Sequence, residues 1–124
     1  MNTILIVEDN AALVRLYSKW LEQPGSTLFQ AESAEEALEK LQSIVPDLVV
    51  LDINLPDGSS LPVIEYLKEH TEYRNTEVVP ITGMADLPRE IKAAGITNFL
   101  RKPVSINTLM ELASHLPATA SSKA

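Results

Sequence analysis

Hydrophobic residues fall along this chain in two alternating rhythms. Ile4-Leu5-Ile6-Val7 and Leu48-Val49-Val50-Leu51 are unbroken apolar runs, as expected of strands covered on both faces. After Glu8-Asp9-Asn10 the spacing changes: Leu13, Leu16, Tyr17, Trp20 and Leu21 line one face of a helix, which Pro24-Gly25 ends. Residues 27–31 predict a brief second strand, and Ser33-Ala34-Glu35-Glu36 reads as a capping box. Ala37, Leu38, Leu41 and Ile44 form the buried stripe behind it, and Pro46 closes that helix. The third strand ends at Asp52, and the turn-rich Asn54-Leu55-Pro56-Asp57-Gly58 leads to a helix over residues 60–70. Residues 78–81 predict a fourth strand despite Pro80, which suits a position near the rim of a sheet or a tolerated irregularity. A short helix over 86–94 has Pro88 in its first turn and stops at Gly95, and residues 98–100 predict a fifth strand. Ser105 caps a last helix with Ile106, Leu109, Met110, Ala113 and Leu116 on its inner face, ended by Pro117.

Five strand–helix units in series predict an α/β, doubly wound domain, because parallel neighbours need crossovers and crossovers are right-handed. At 124 residues the chain suits one domain over residues 1–117, with 118–124 a small-residue tail or the start of a linker. The absence of cysteine excludes disulfides, thiolate metal sites and a cysteine nucleophile. Seventeen acidic side chains against ten basic ones give a net charge of −7, which opposes direct binding of nucleic acid or of an anionic membrane. Met1-Asn2-Thr3 lacks a basic side chain and the apolar run after it is too short for a signal core, so a cytoplasmic, soluble protein is expected.

In doubly wound sheets ligands bind beyond the carboxyl ends of the strands. Those ends here carry Glu8-Asp9, Asp52, Thr82-Gly83 and Lys102-Pro103, so three carboxylates, a hydroxyl and an ammonium converge on one rim. Like charges packed together cost stability unless something neutralises them. One or two carboxylates supplemented by water suit Mg²⁺ better than an all-protein calcium cage. A metal and a lysine around one carboxylate are also the means of placing a phosphoryl group, and the carboxylate itself can accept it.

With these marks the sequence resembles the receiver domain of two-component response regulators. The matching residues are Glu8-Asp9, Asp52 within Leu51-Asp52-Ile53-Asn54-Leu55-Pro56-Asp57-Gly58, Thr82 and Lys102-Pro103, and the likeness runs from about Thr3 to Leu116. The resemblance implies a flavodoxin-like (βα)5 fold with a five-stranded parallel sheet of order 2-1-3-4-5. It implies phosphoryl transfer to Asp52 from the phosphohistidine of a histidine kinase or phosphotransfer protein, with a downstream effector protein or domain reading the result. Mg²⁺ is then held by Asp9, Asp52 and the backbone carbonyl of Asn54, with Glu8 contributing through water. Lys102 and Thr82 contact the phosphoryl oxygens, Thr82 and Phe99 form the switch, and the Lys102-Pro103 bond is cis. Such a protein catalyses only its own phosphorylation and dephosphorylation and is not otherwise an enzyme.

Blander roles stand beside these. Asp52 is also a turn cap, Glu8-Asp9 a cap for the first helix, and Phe99 core filler. His70 and His115 read as helix-end residues, Trp20 as core, and Arg15 with Lys19 as a solvated face that in the family borders the kinase-docking surface. The sequence departs from the family pattern at Gly83, at Val104 and in a short 82–99 segment holding Pro88, which predicts a short or displaced fourth helix. Asn54 and Met84 occupy positions that tune dephosphorylation in the family. The rival functions are a receiver-like binding module without phosphotransfer and a small aspartyl-nucleophile phosphatase. The phosphatase would want a second Asp where Asn54 stands, and a cap or larger core.

Overall fold

The structure is a computed structural model, and it describes residues 2–96 and 98–114. The elements run β1 (Thr3–Val7), α1 (Ala11–Leu21), β2 (Thr27–Ala31), α2 (Ala34–Leu41), β3 (Leu48–Asp52), β4 (Asn54–Leu55), β5 (Gly58–Ser59) and α3 (Leu61–Glu69). A 3-10 turn at Thr71–Tyr73 precedes β6 (Glu77–Thr82), α4 (Arg89–Ala93), β7 (Leu100–Arg101) and α5 (Ile106–Ser114). Among the described residues, five strands form one parallel sheet in the order β2-β1-β3-β6-β7, with β4 and β5 a separate antiparallel hairpin. Counting only the strands of the parallel sheet, this is the 2-1-3-4-5 order of a flavodoxin-like fold.

The unbroken apolar runs are explained by burial on both faces. Leu5, Val7, Val49 and Leu51 pack against α2, α3 and α4, while Ile4, Ile6, Leu48 and Val50 pack against α1 and α5. Successive side chains on a strand point to opposite faces, so each run must be apolar throughout. Truncating one of these buried Leu or Ile side chains to Ala would cost about 2–5 kcal/mol.

Several helix faces differ from the periodicity. On α1 the buried residues are Val14, Tyr17 and Leu21, whereas Leu16 is 43% exposed and Trp20 is half-buried against the core. On α5, Leu109 and Ala113 are buried but Ile106 and Met110 are exposed, and Leu116, His115 and the tail lie outside the described residues. Helix α2 ends at Leu41, well before Pro46, and α4 is only five residues long with Pro88 as its N-cap. The last strand is Leu100–Arg101, so Phe99 precedes the ladder.

Of the two readings of Pro80 the tolerated irregularity holds: it is in a strand flanked by two others, not on the rim. Ile81 O accepts from Ile53 N on the β3 side and Thr82 O accepts from Lys102 N on the β7 side. Alternation therefore turns the nitrogen of Pro80 toward β7, at a level before the β7 ladder begins at Ile81↔Leu100. The missing N–H removes no ladder bond there.

Candidate functional site

The site begins where β1 runs out. Glu8 N donates to Ala31 O, which extends the β1–β2 ladder by one step and turns the Glu8 side chain inward, where it is 2% exposed. The cap of α1 is Asn10, whose Oδ1 accepts from Ala12 N and Leu13 N at 2.9 and 3.1 Å. Glu8-Asp9 is therefore not the cap. Glu8 Oε2 accepts from Asn10 N at 3.1 Å, and Asp9 is exposed at the mouth.

Asp52 is the last residue of β3 and is buried. Its Oδ1 accepts from Asn54 N at 3.0 Å, so Asp52 does cap the following turn. Its Oδ2 accepts from Lys102 Nζ at 3.1 Å, and the same ammonium stands 3.5 Å from Glu8 Oε1. Carboxylate oxygens of Glu8, Asp9 and Asp52 lie within 4.8 Å of one another. The turn cap and the bond to Lys102 coexist because a carboxylate has lone pairs for both.

The electrostatics are unbalanced. Burial raises the Glu8 carboxyl above its ordinary value; the Asn10 N–H draws it back, the Asp52 charge pushes it further up, and Lys102 opposes. Burial alone would lower Lys102, but the hydrogen bond and charge of Asp52, with Glu8, leave it raised. Burial likewise raises the Tyr17 phenol, with Lys102 drawing it down and the two acids pushing it up. One ammonium thus faces three carboxylates, and Glu8 Oε1 is a buried oxygen with no hydrogen-bond partner among the described residues. The donor set is all oxygen and hard, with unspent negative charge. It fits a small divalent cation.

Thr82 ends β6 one step beyond Ile81, which is paired with Asp52. It is fully buried, and its hydroxyl accepts from Met84 N at 3.0 Å, leaving the hydroxyl proton available to donate. The Lys102-Pro103 peptide bond is cis. Phe99 is half-buried against the core on the α2–α4 side. Asn54 is exposed at the start of the β4–β5 hairpin. Beside Lys102, a largely apolar groove of about 420 Å³ runs between α1 and the β7–α5 loop, lined by Leu13, Leu16, Tyr17, Trp20, Pro103 and Val104. Periodicity hides this groove by assigning Leu16 and Trp20 to the core.

A family model described as the response regulator receiver domain matches residues 4–114. The chain belongs to the response regulator receiver family. This receiver is similar to the polar-differentiation response regulator DivK of Brucella ovis, at 32% identity over 111 residues, covering 88% of this chain and 90% of that protein. Among solved structures it is similar to the chemotaxis response regulator CheY4 of Vibrio cholerae, with a TM-score of 0.81, 26% identity and coverage of 92% and 97% of the two chains. A CheY-like receiver domain from Methylobacillus flagellatus gives a TM-score of 0.78 at 28% identity, with coverage of 92% and 97%. The protein is accordingly a receiver domain of two-component signalling, a class of switch that interacts with histidine kinases and downstream effectors. Among its described residues no helix is long and apolar enough to cross a membrane.

Proposed function

We propose that this receiver takes a phosphoryl group onto Asp52 from the phosphohistidine of a histidine kinase or phosphotransfer protein in the cytoplasm. The observation that carries it is a buried carboxylate bonded to Lys102 Nζ at 3.1 Å and crowded by two further carboxylates within 4.8 Å. An Asp52 oxygen attacks phosphorus while the P–N bond breaks and its electron pair returns to the imidazole. Lys102 holds one phosphoryl oxygen, and Thr82, whose hydroxyl proton is not used in its bond with Met84 N, donates that proton to another. Asp9, Asp52 and the carbonyl of Asn54 would hold Mg²⁺, with Glu8 assisting. When bound, that ion neutralises the carboxylates and the incoming phosphoryl oxygens, so that catalysis is placement and charge compensation. The protein acts on itself alone.

The output is a surface change through Thr82 and Phe99. Phe99, already packed at the edge of the α2–α4 core, turns further inward as Thr82 moves. The donor approaches over the apolar groove beside Lys102, where Leu16 supplies an exposed hydrophobic contact next to the acceptor.

Incubation with acetyl phosphate and Mg²⁺ should add one hydroxylamine-labile phosphoryl group by intact mass, and Asp52→Asn should abolish it. Labelling that persists in Asp52→Asn would overturn the assignment. Leu16→Asp should keep labelling by acetyl phosphate and lose transfer from a phosphorylated histidine kinase.

A further inference from the structure

The β4–β5 hairpin follows the acceptor directly, and its tip is tied to a distant helix. Asp57 Oδ1 accepts from Ala34 N at 3.0 Å and Oδ2 from Glu35 N at 3.1 Å, the first two N–H groups of α2. Ser33 Oγ takes the third, Glu36 N, at 3.1 Å. Helix N-termini leave such donors without intrahelical partners and favour negative charge. The α2 terminus is therefore shared between its own cap and a residue 22 positions further along the chain from Glu35.

At its base the hairpin is held by Ile53 N donating to Ile81 O, Ser60 N donating to Ile53 O, and burial of Leu55. Asn54 lies in that hairpin and donates its N–H to Asp52 Oδ1. One path thus runs from the α2 terminus through Asp57 and the hairpin to Asn54 and the acceptor. Asp57 is exposed, has an oxygen on each of two α2 N–H groups, and is followed by Gly58 at φ +120°, a conformation that lets the tip turn back.

We infer that Asp57 is a positioning residue: by clamping the hairpin to α2 it pre-orders the backbone at Asn54 for the cation. This rests on the proposal above that the Asn54 carbonyl is a ligand. Mg²⁺ demands near-octahedral geometry at about 2.0–2.1 Å, so a carbonyl on a loosened hairpin must be ordered at the moment of binding. Groups that orient a ligand without touching the metal commonly change affinity by about 10–100-fold.

Ser33→Ala is the control, because it weakens the same helix terminus without touching the hairpin. Mg²⁺ affinity by titration calorimetry and exchange of the Asn54 amide by NMR should be measured for wild type, Asp57→Ala, Asp57→Asn and Ser33→Ala. Asp57→Ala should bind Mg²⁺ about tenfold more weakly and exchange the Asn54 amide faster. Asp57→Asn, which keeps one acceptor oxygen, should fall between, and Ser33→Ala should match wild type in both readouts. Wild-type Mg²⁺ affinity and Asn54 protection in Asp57→Ala would overturn the clamp. If wild type itself takes no Mg²⁺ at millimolar concentration, the metal assignment fails. In that case unchanged Asn54 exchange in Asp57→Ala overturns the clamp, and faster exchange upholds it.

Discussion

Glu8 and Asp57 are carboxylates in loops at the same end of the sheet, and their surroundings are opposite. Glu8 is buried, has Asp52 beside it, leaves one oxygen without a hydrogen bond, and is pushed up above its ordinary value of 4.5, first by burial. Asp57 is exposed, uses both oxygens on backbone N–H groups, and is held below its ordinary value of 3.8, first by Ala34 N and then by Glu35 N. Each favours a different protonation state, and the difference separates two jobs. A carboxylate that folding leaves short of partners retains its attraction for a cation from solution. One whose lone pairs are already satisfied by a helix terminus serves as a structural fastener. Acidic composition alone says nothing about which is which; partners and burial do.

Four tests press on that contrast. Lys102→Ala removes the cation paired with Glu8 and Asp52, and should have the largest effect on the metal-free protein. We expect a loss of about 2 kcal/mol in chemical denaturation, below the roughly 3–5 kcal/mol of a fully buried broken pair because the lysine side chain is 30% exposed. Equal stability of the variant and wild type would mean that the acids are not strained. Next, Mg²⁺ at ten times its dissociation constant should stabilise wild type by about 1.4 kcal/mol, a Tm rise of roughly 4–7 °C, and the rise should vanish in Asp9→Asn.

Glu8→Gln should stabilise the metal-free protein at neutral pH, because burial, and then the Asp52 charge, disfavour the ionised Glu8 carboxylate. Since the folded value is raised, that advantage should shrink as pH falls through it toward 4.5, where wild-type Glu8 is protonated too. A Gln variant that is less stable at neutral pH would show that Lys102 compensates Glu8 fully. Asp57→Asn should show the smallest effect with the opposite dependence. Its folded value is lowered, so the charge contributes stability above 3.8 that is lost as pH falls through the folded value. The Tm gap between wild type and Asp57→Asn should therefore be constant from neutral pH down to about 4 and close below it.

Much of the candidate site is legible in the order of residues, and for a local reason. A strand ends where its apolar run stops, so the runs alone place Glu8-Asp9, Asp52, Thr82 and Lys102 on one rim. The positions that go astray are those where local spacing leaves a choice. Leu16 and Val14 both fit a helical stripe, and packing in the folded protein buries Val14 with Tyr17 and Leu21, leaving Leu16 to line the groove beside Lys102. The same spacing turns Met110 inward, yet it is 51% exposed, because α5 meets the sheet through Leu109 and Ala113. Pro80 suits a rim by its chemistry, yet it is tolerated in a flanked strand because β7 is short at its level.

The order of residues is enough for the five strand–helix units and for the chemistry at their carboxyl ends, since hydrophobic period and strand termination are properties of neighbours in the chain. It does not say that Asn10 caps α1 while Glu8 turns inward, nor that Asp57 belongs to the terminus of α2. Those outcomes depend on which partner lies within about 3 Å, and hydrogen bonds are too short-ranged to be inferred across segments that meet only when the sheet assembles. Folding therefore makes one acidic rim into two kinds of site, a strained pocket short of positive charge and a saturated clamp beside it.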